Sequence, residues 1–80
     1  MIGYIATFHT HLSALMTCRA LTDLGIRAQM MPVPRKLSSS CGTCVRYWAQ
    51  DPCLSAMDAD TEAVYQILAP DTYTVILQTD

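Results

Sequence analysis

Between Thr10 and Gly25 the chain carries the start and stop signals of one helix, and on both sides of it the apolar residues switch to a period of two. A hydroxyl residue ahead of an apolar run suits a helix N-cap, and a glycine just past it suits the C-terminal cap, so residues 11–24 are expected to be helical. Ala14, Cys18, Leu21 and Leu24 recur at the three-to-four spacing of one buried stripe. Leu12, Leu15 and Met16 fall off that stripe beside Arg19 and Asp23. They read as scattered surface apolars, with an oligomer contact as the alternative.

The flanking segments are short, β-branched or aromatic, and alternating. Tyr4 to Phe8 (YIATF) predicts a first strand. Ile26, Ala28 and Met30 alternate with Arg27, Gln29 and Met31 in a second, which Pro32 and Pro34 close. Thr43, Val45 and Tyr47 alternate with Cys44, Arg46 and Trp48 in a third. Ala49 to Met57 has no clean period and reads as a loop. Asp58 or Asp60 then suits the cap of a second helix with the stripe Val64, Ile67 and Leu68, extended by Met57 and stopped by Pro70. Tyr73 to Leu77 (YTVIL) predicts a fourth strand.

The expected order, strand–helix–strand–strand–helix–strand, is the split βαβ arrangement (βαββαβ) of α+β ferredoxin-like domains: a four-stranded antiparallel sheet with both helices on one face. Eighty residues allow one domain, residues 1–80, burying a little over ~60% of its unfolded surface. With 51% apolar and 15% charged residues the chain is globular rather than disordered. The formal net charge is −2 and the five basic residues form no run, which argues against nucleic acid. No segment approaches the ~20 apolar residues of a membrane span and the amino terminus lacks a signal-peptide pattern, so a cytoplasmic protein is expected. Trp48, Met31 and Ile76 on the outer sheet face suit contact with a second copy, hence a homodimer as one expectation.

Topology also places the chemistry. If the first two strands run the same way with the third antiparallel between them, Phe8-His9-Thr10-His11, the start of the first helix and the Arg35–Cys44 loop share one edge. A thiol near a helix N-terminus or beside a cation is activated as thiolate, so Cys41 is a candidate nucleophile. Arg35 and the helix dipole would stabilise its anion, serine hydroxyls and loop amides would donate to it, and His9 or His11 would act as base or cation. The alternative is a small buried cysteine at a strand head.

Cys41 and Cys44 make a CxxC spacing, in which Cys44 would resolve an oxidised Cys41. If the strand already runs from residue 41, their α-carbons lie about 10 Å apart on opposite faces, beyond disulfide reach. The pair works only if the strand begins later and Gly42 turns the chain. Cys41, Cys44 and Cys53 with a histidine would make a valid zinc set, but the third strand carries Cys53 toward the other edge, so no metal site is assigned. Cys18 reads as core. Asp58, Asp60 and Glu62 read as the acidic first turn of the second helix.

A strand ending in Phe8, the capping Thr10, Ala14 and Leu21, Gly25-Ile26 and above all Pro32-x-Pro34-Arg35-x-x-Ser38-x-x-Cys41-Gly42 resemble the small bacterial domains described as Putative Se/S carrier protein-like. The resemblance spans about residues 4–48 and is most specific over 32–42. It implies that Cys41 carries a persulfide or perselenide between a donor and an acceptor protein, served by Arg35, Ser38, Ser40 and Gly42. It also implies a carrier rather than a conventional enzyme, without a cofactor. Cys18 and Cys44 depart from the family pattern. A dithiol redox or zinc-binding module using Cys41 and Cys44, or a non-catalytic interaction domain, are the competing readings.

Overall fold

A computed structural model describes residues 1–79. The elements are β1 (Ile2–Phe8), α1 (His11–Asp23), β2 (Arg27–Pro32), β3 (Thr43–Ala49), a 3-10 turn (Leu54–Ala56), β4 (Thr61–Ala69) and β5 (Thr72–Gln78). They form one five-stranded sheet in the order β2-β3-β1-β4-β5, with every neighbouring pair antiparallel.

The first half follows the expected wiring. β3 pairs antiparallel with both β1 and β2, so β1 and β2 run the same way and α1 crosses between them. Thr10 caps α1 by accepting the Ser13 N–H at 3.2 Å. At the other end Gly25 has φ +79°, and the Gly25 and Ile26 N–H groups bond back to Thr22 and Leu21.

The second half corrects the ferredoxin-like expectation. Residues 61–69 form β4, not a second helix, so the sheet has five strands and carries α1 alone. Thr61, Ala63 and Val64 are buried, and β4 fills the side of β1 that β3 leaves open. From Tyr4 to Phe8 every β1 residue is buried, the mark of a central strand covered on both faces and paired on both edges. Pro70 does not end a helix. With Asp71 at φ +58° it makes the two-residue turn of the β4–β5 hairpin.

The core lies between sheet and helix: Tyr4, Ala6 and Phe8 of β1, Val45, Tyr47 and Ala49 of β3, Val64 of β4, and Ala14 and Leu21 of α1. Tyr4 and Tyr47 stack with ring centroids 5.2 Å apart. The expected helix stripe turns by one position. Leu24, past the last helical turn, is exposed, and Ser13 and Thr17 are buried in its place. Both hydroxyls are satisfied by Asp58: Ser13 Oγ donates to its carboxylate at 2.7 Å, and its own N–H donates to Thr17 Oγ1 at 3.0 Å. Leu12, Leu15 and Met16 are exposed.

Among the described residues no helix is long and apolar enough to cross a membrane.

Candidate functional site

The end of β1, the start of α1 and the β2–β3 loop meet at one edge of the sheet, as the wiring requires. Ser39 Oγ donates to the Phe8 carbonyl at 2.8 Å, and His11 Nδ1 lies 3.3 Å from Thr43 Oγ1. The loop turns on Pro34, whose carbonyl accepts the Leu37 N–H, and closes where the Val33 N–H meets the Gly42 carbonyl at 3.2 Å. Gly42 sits at φ +74° with open space around a would-be Cβ, so its backbone conformation, not crowding, asks for glycine.

The loop is held to β4 by Glu62. Its carboxylate accepts the Ser40 N–H at 2.9 Å and the Ser40 hydroxyl at 2.8 Å, and stands 3.5 Å from His9 Nδ1. Ser40 Oγ is also 3.5 Å from that nitrogen. Partial burial pushes the Glu62 carboxyl up, but the Ser40 N–H, the Ser40 and Ser39 hydroxyls and His9 outweigh it and hold the group below its ordinary value.

Cys41 stands on this clamped loop, half-buried against the helix-side core. Its Sγ donates to the Thr43 carbonyl at 3.3 Å and has Ser39 Oγ at 3.8 Å. Arg35 and Ser38 are exposed and make no hydrogen bond or ion pair among the described residues. His9 is turned to Glu62 and Ser40. The structure thus gathers His9, Ser39, Ser40, Cys41, Gly42 and Glu62 at one edge, and leaves Arg35 and Ser38 on the outer surface of the same loop.

The strand begins at Thr43 and Gly42 has positive φ, the condition under which the two CxxC cysteines could approach, yet both thiols are free. Cys44 is fully buried on the sheet face away from α1, with Sγ 3.7 Å from the Pro32 carbonyl. Burial first, then the neighbouring Cys41, push its thiol up to about 11, and Arg46 offsets this only in part. β3 carries Cys53 to the opposite end of the sheet, where its Sγ donates to the Asp51 carbonyl at 3.3 Å. Burial, an Asp51 hydrogen bond and the Asp51 charge raise that thiol as well. Cys18 packs half-buried against the core from α1. Among the described residues no three His, Cys, Asp or Glu side chains are grouped to hold a metal ion.

Two members of the site escape sequence reasoning. Glu62 reads there as part of an acidic helix start, and Ser39 lies between the two serines that attract notice. The available signal for Glu62 was the β-branched and aromatic content of residues 61–69 with Pro-Asp behind it, a strand followed by a hairpin turn.

A protein-family model described as Putative Se/S carrier protein-like matches residues 3–69 of this chain. The match extends beyond residues 4–48 through β4, and so includes Glu62 as well as the loop. β5 lies outside it. No curated protein and no solved structure matches the chain.

Proposed function

The chain belongs to the Se/S carrier protein-like family, and from that membership we propose that Cys41 carries sulfur or selenium as a persulfide or perselenide and passes it to an acceptor protein. One observation supports the choice of cysteine. Cys41 alone stands half-exposed on a loop fastened to both β1 and β4, whereas Cys44 is fully buried and Cys53 lies at the far end of the sheet. A carrier thiol has to be reachable by two different proteins, and a loop held on a rigid scaffold presents it to both.

The transfer balances without an oxidant. The Cys41 thiolate attacks the outer sulfur of a donor protein's persulfide. The donor's S–S bond breaks, the donor leaves as thiolate, and the new S–S bond on Cys41 carries the proton of the outer sulfur. An acceptor thiolate repeats the exchange, and selenium follows the same bookkeeping.

In this reading Ser39, whose hydroxyl is held by the Phe8 carbonyl, fixes the loop 3.8 Å from the sulfur, and exposed Arg35 and Ser38 face the incoming partner. Gly42 supplies the turn, and His9 holds Glu62 against the loop. Cys44, its thiol pushed up to about 11, stays protonated at neutral pH and serves as a packing residue. The protein acts in a reducing cytoplasm as a carrier rather than as a conventional enzyme.

Incubation with a cysteine desulfurase and sulfur-labelled cysteine tests this. Label is expected on the wild type and on Cys44→Ser, and absent from Cys41→Ser. Equal loading of Cys41→Ser overturns the reading.

A further inference from the structure

The sheet face away from α1 holds groups that the carrier chemistry does not use. Trp48, the single tryptophan of the chain, has two guanidinium groups over its ring, Arg27 Cζ at 5.0 Å and Arg46 Cζ at 5.1 Å from the centroid. An aromatic face attracts a cation but takes up few of its N–H donors. Among the described residues the ion pair formed is His9 with Glu62, so neither arginine has a carboxylate, and the Arg46 Nε is buried without a hydrogen-bond partner.

Gly3 brings this cluster together. A Cβ there would meet Ile67 Cδ1 at 3.2 Å and Trp48 Nε1 at 3.7 Å, so the bare position on the central strand lets Ile67 and Trp48 close over it. Arg46 and Ile67 then line a groove of about 410 Å³ with Leu68, Pro70, Asp71 and Tyr73. A second groove of about 370 Å³ shares Asp71 and Tyr73 and runs past Tyr65 and Val75 to Lys36 and Leu37 of the β2–β3 loop. One basic side chain lines each part of this apolar and aromatic track, Arg46 in the first groove and Lys36 in the second, in a protein whose net charge is −2. Asp71 is the acid that lines both grooves.

We propose that this face binds an extended acidic segment of a partner protein, its carboxylates meeting Arg46, Arg27 and Lys36 and its intervening apolar side chains meeting Ile67, Leu68 and Tyr73. That the partner is a donor or acceptor of sulfur or selenium rests on the carrier reading; the chemistry of the groove does not. A strand-like segment advances about 3.3 Å per residue, so a six-residue segment covers about 20 Å, within the 29 Å longest extent of the molecule. A small anion would engage one end of the track and leave the other unused.

Trp48 fluorescence reports occupancy through Arg46, which lines the first groove and stands over the indole, and the chain has no other tryptophan. The probe is a hexapeptide of alternating glutamate and leucine, blocked at both ends, with the lysine–leucine peptide, inorganic phosphate and a single-stranded hexanucleotide as comparisons. The acidic peptide is expected to change the emission saturably. Arg46→Gln is expected to weaken it at least about tenfold, the effect of losing a charge-assisted hydrogen bond, and the exposed Arg27→Gln and Lys36→Gln severalfold each. Asp71→Asn, which tolerates the positive φ, is expected to tighten it. Circular dichroism and melting confirm that each variant folds.

Several outcomes overturn the proposal: equal response to the basic peptide, phosphate or hexanucleotide binding as tightly, unchanged affinity in folded Arg46→Gln, or a dimer that buries Trp48 and resists the peptide. Titrating wild type and Cys41→Ser alike separates the two readings. Binding without loading removes the carrier function and keeps the groove, and loading without binding does the reverse.

Discussion

At each end of the sheet a carboxylate stands in the same loop cluster as a half-buried cysteine, and the two ends treat that carboxylate in opposite ways. Beside Cys41, Glu62 is covered by two Ser40 donors and faced by His9, so its charge is engaged within the loop clamp. Beside Cys53, Asp51 accepts the Cys53 N–H at 2.8 Å and its charge still acts on the thiol, adding to burial and a hydrogen bond in raising it. The same Asp51 charge reaches Tyr4 and Tyr47, both pushed up chiefly by burial. What separates the two sites is how many donors surround the acid. Donors around Glu62 turn it into a fastening for the loop, while Asp51 remains a local negative field that disfavours a thiolate.

The largest expected effect concerns accessibility. In a pulse of iodoacetamide at pH 8, Cys41 is expected to be modified at least about 100-fold faster than Cys44, because a thiol pushed up to about 11 is ionised only about one part in a thousand there and Cys44 has no exposed surface. Mass spectrometry of the digested protein reads the order of labelling. Labelling of Cys44 at the rate of Cys41 in folded protein would erase the distinction.

Next in size is the clamp itself. Glu62→Ala leaves Ser40 without its acceptor and His9 without its ion pair, and is expected to cost about 1–2 kcal/mol in urea unfolding while raising Cys41 labelling severalfold. Asp51→Ala at the other end is expected to leave the Cys41 rate unchanged, so a matching rise there would show that the ends are coupled.

Within the Cys41 end, the clamping carboxylate and the buried Cys44 thiol differ in pH response. Glu62 titrates below its ordinary 4.5, so the stability it contributes is present above that value and is lost as pH falls through the lowered folded value. Cys44 titrates above its ordinary 9.0, so its contribution is present below 9.0 and lost as pH rises through about 11. Urea midpoints measured from pH 3 to 11 are expected to fall at both limits. Glu62→Gln should flatten the acid limb and Cys44→Ala part of the alkaline one, where Tyr4 and Tyr47 also act.

The smallest effect is at Cys53. Asp51→Asn removes a charge and keeps the side-chain shape, and is expected to speed Cys53 alkylation at pH 8 by a few-fold without moving the Cys41 rate. No change at Cys53 would mean that burial alone sets its reactivity.

Local signals determined the first half of this protein. Thr10 and Gly25 marked a helix whose ends they do cap, and the alternations at residues 26–31 and 43–48 put Ala28, Met30, Val45 and Tyr47 toward the core. Those elements and one wiring rule brought His9, the serine loop and Cys41 to a common edge, because a parallel pair with an antiparallel strand between it leaves little freedom. At residues 61–69 tertiary structure decided between two local readings, helix and strand. Val64, Ile67 and Leu68 satisfy a helical period, yet β1 is buried on both faces and needs a partner on its second edge, a demand written in residues 4–8 and met by residues far away in sequence. Glu62 followed that decision, since an acid on a helix cap and one on a strand beside a serine loop look alike in one dimension. Tertiary structure also placed the two CxxC cysteines: Gly42 at positive φ turns the chain between them, and Cys44 is buried in the face of the sheet away from α1.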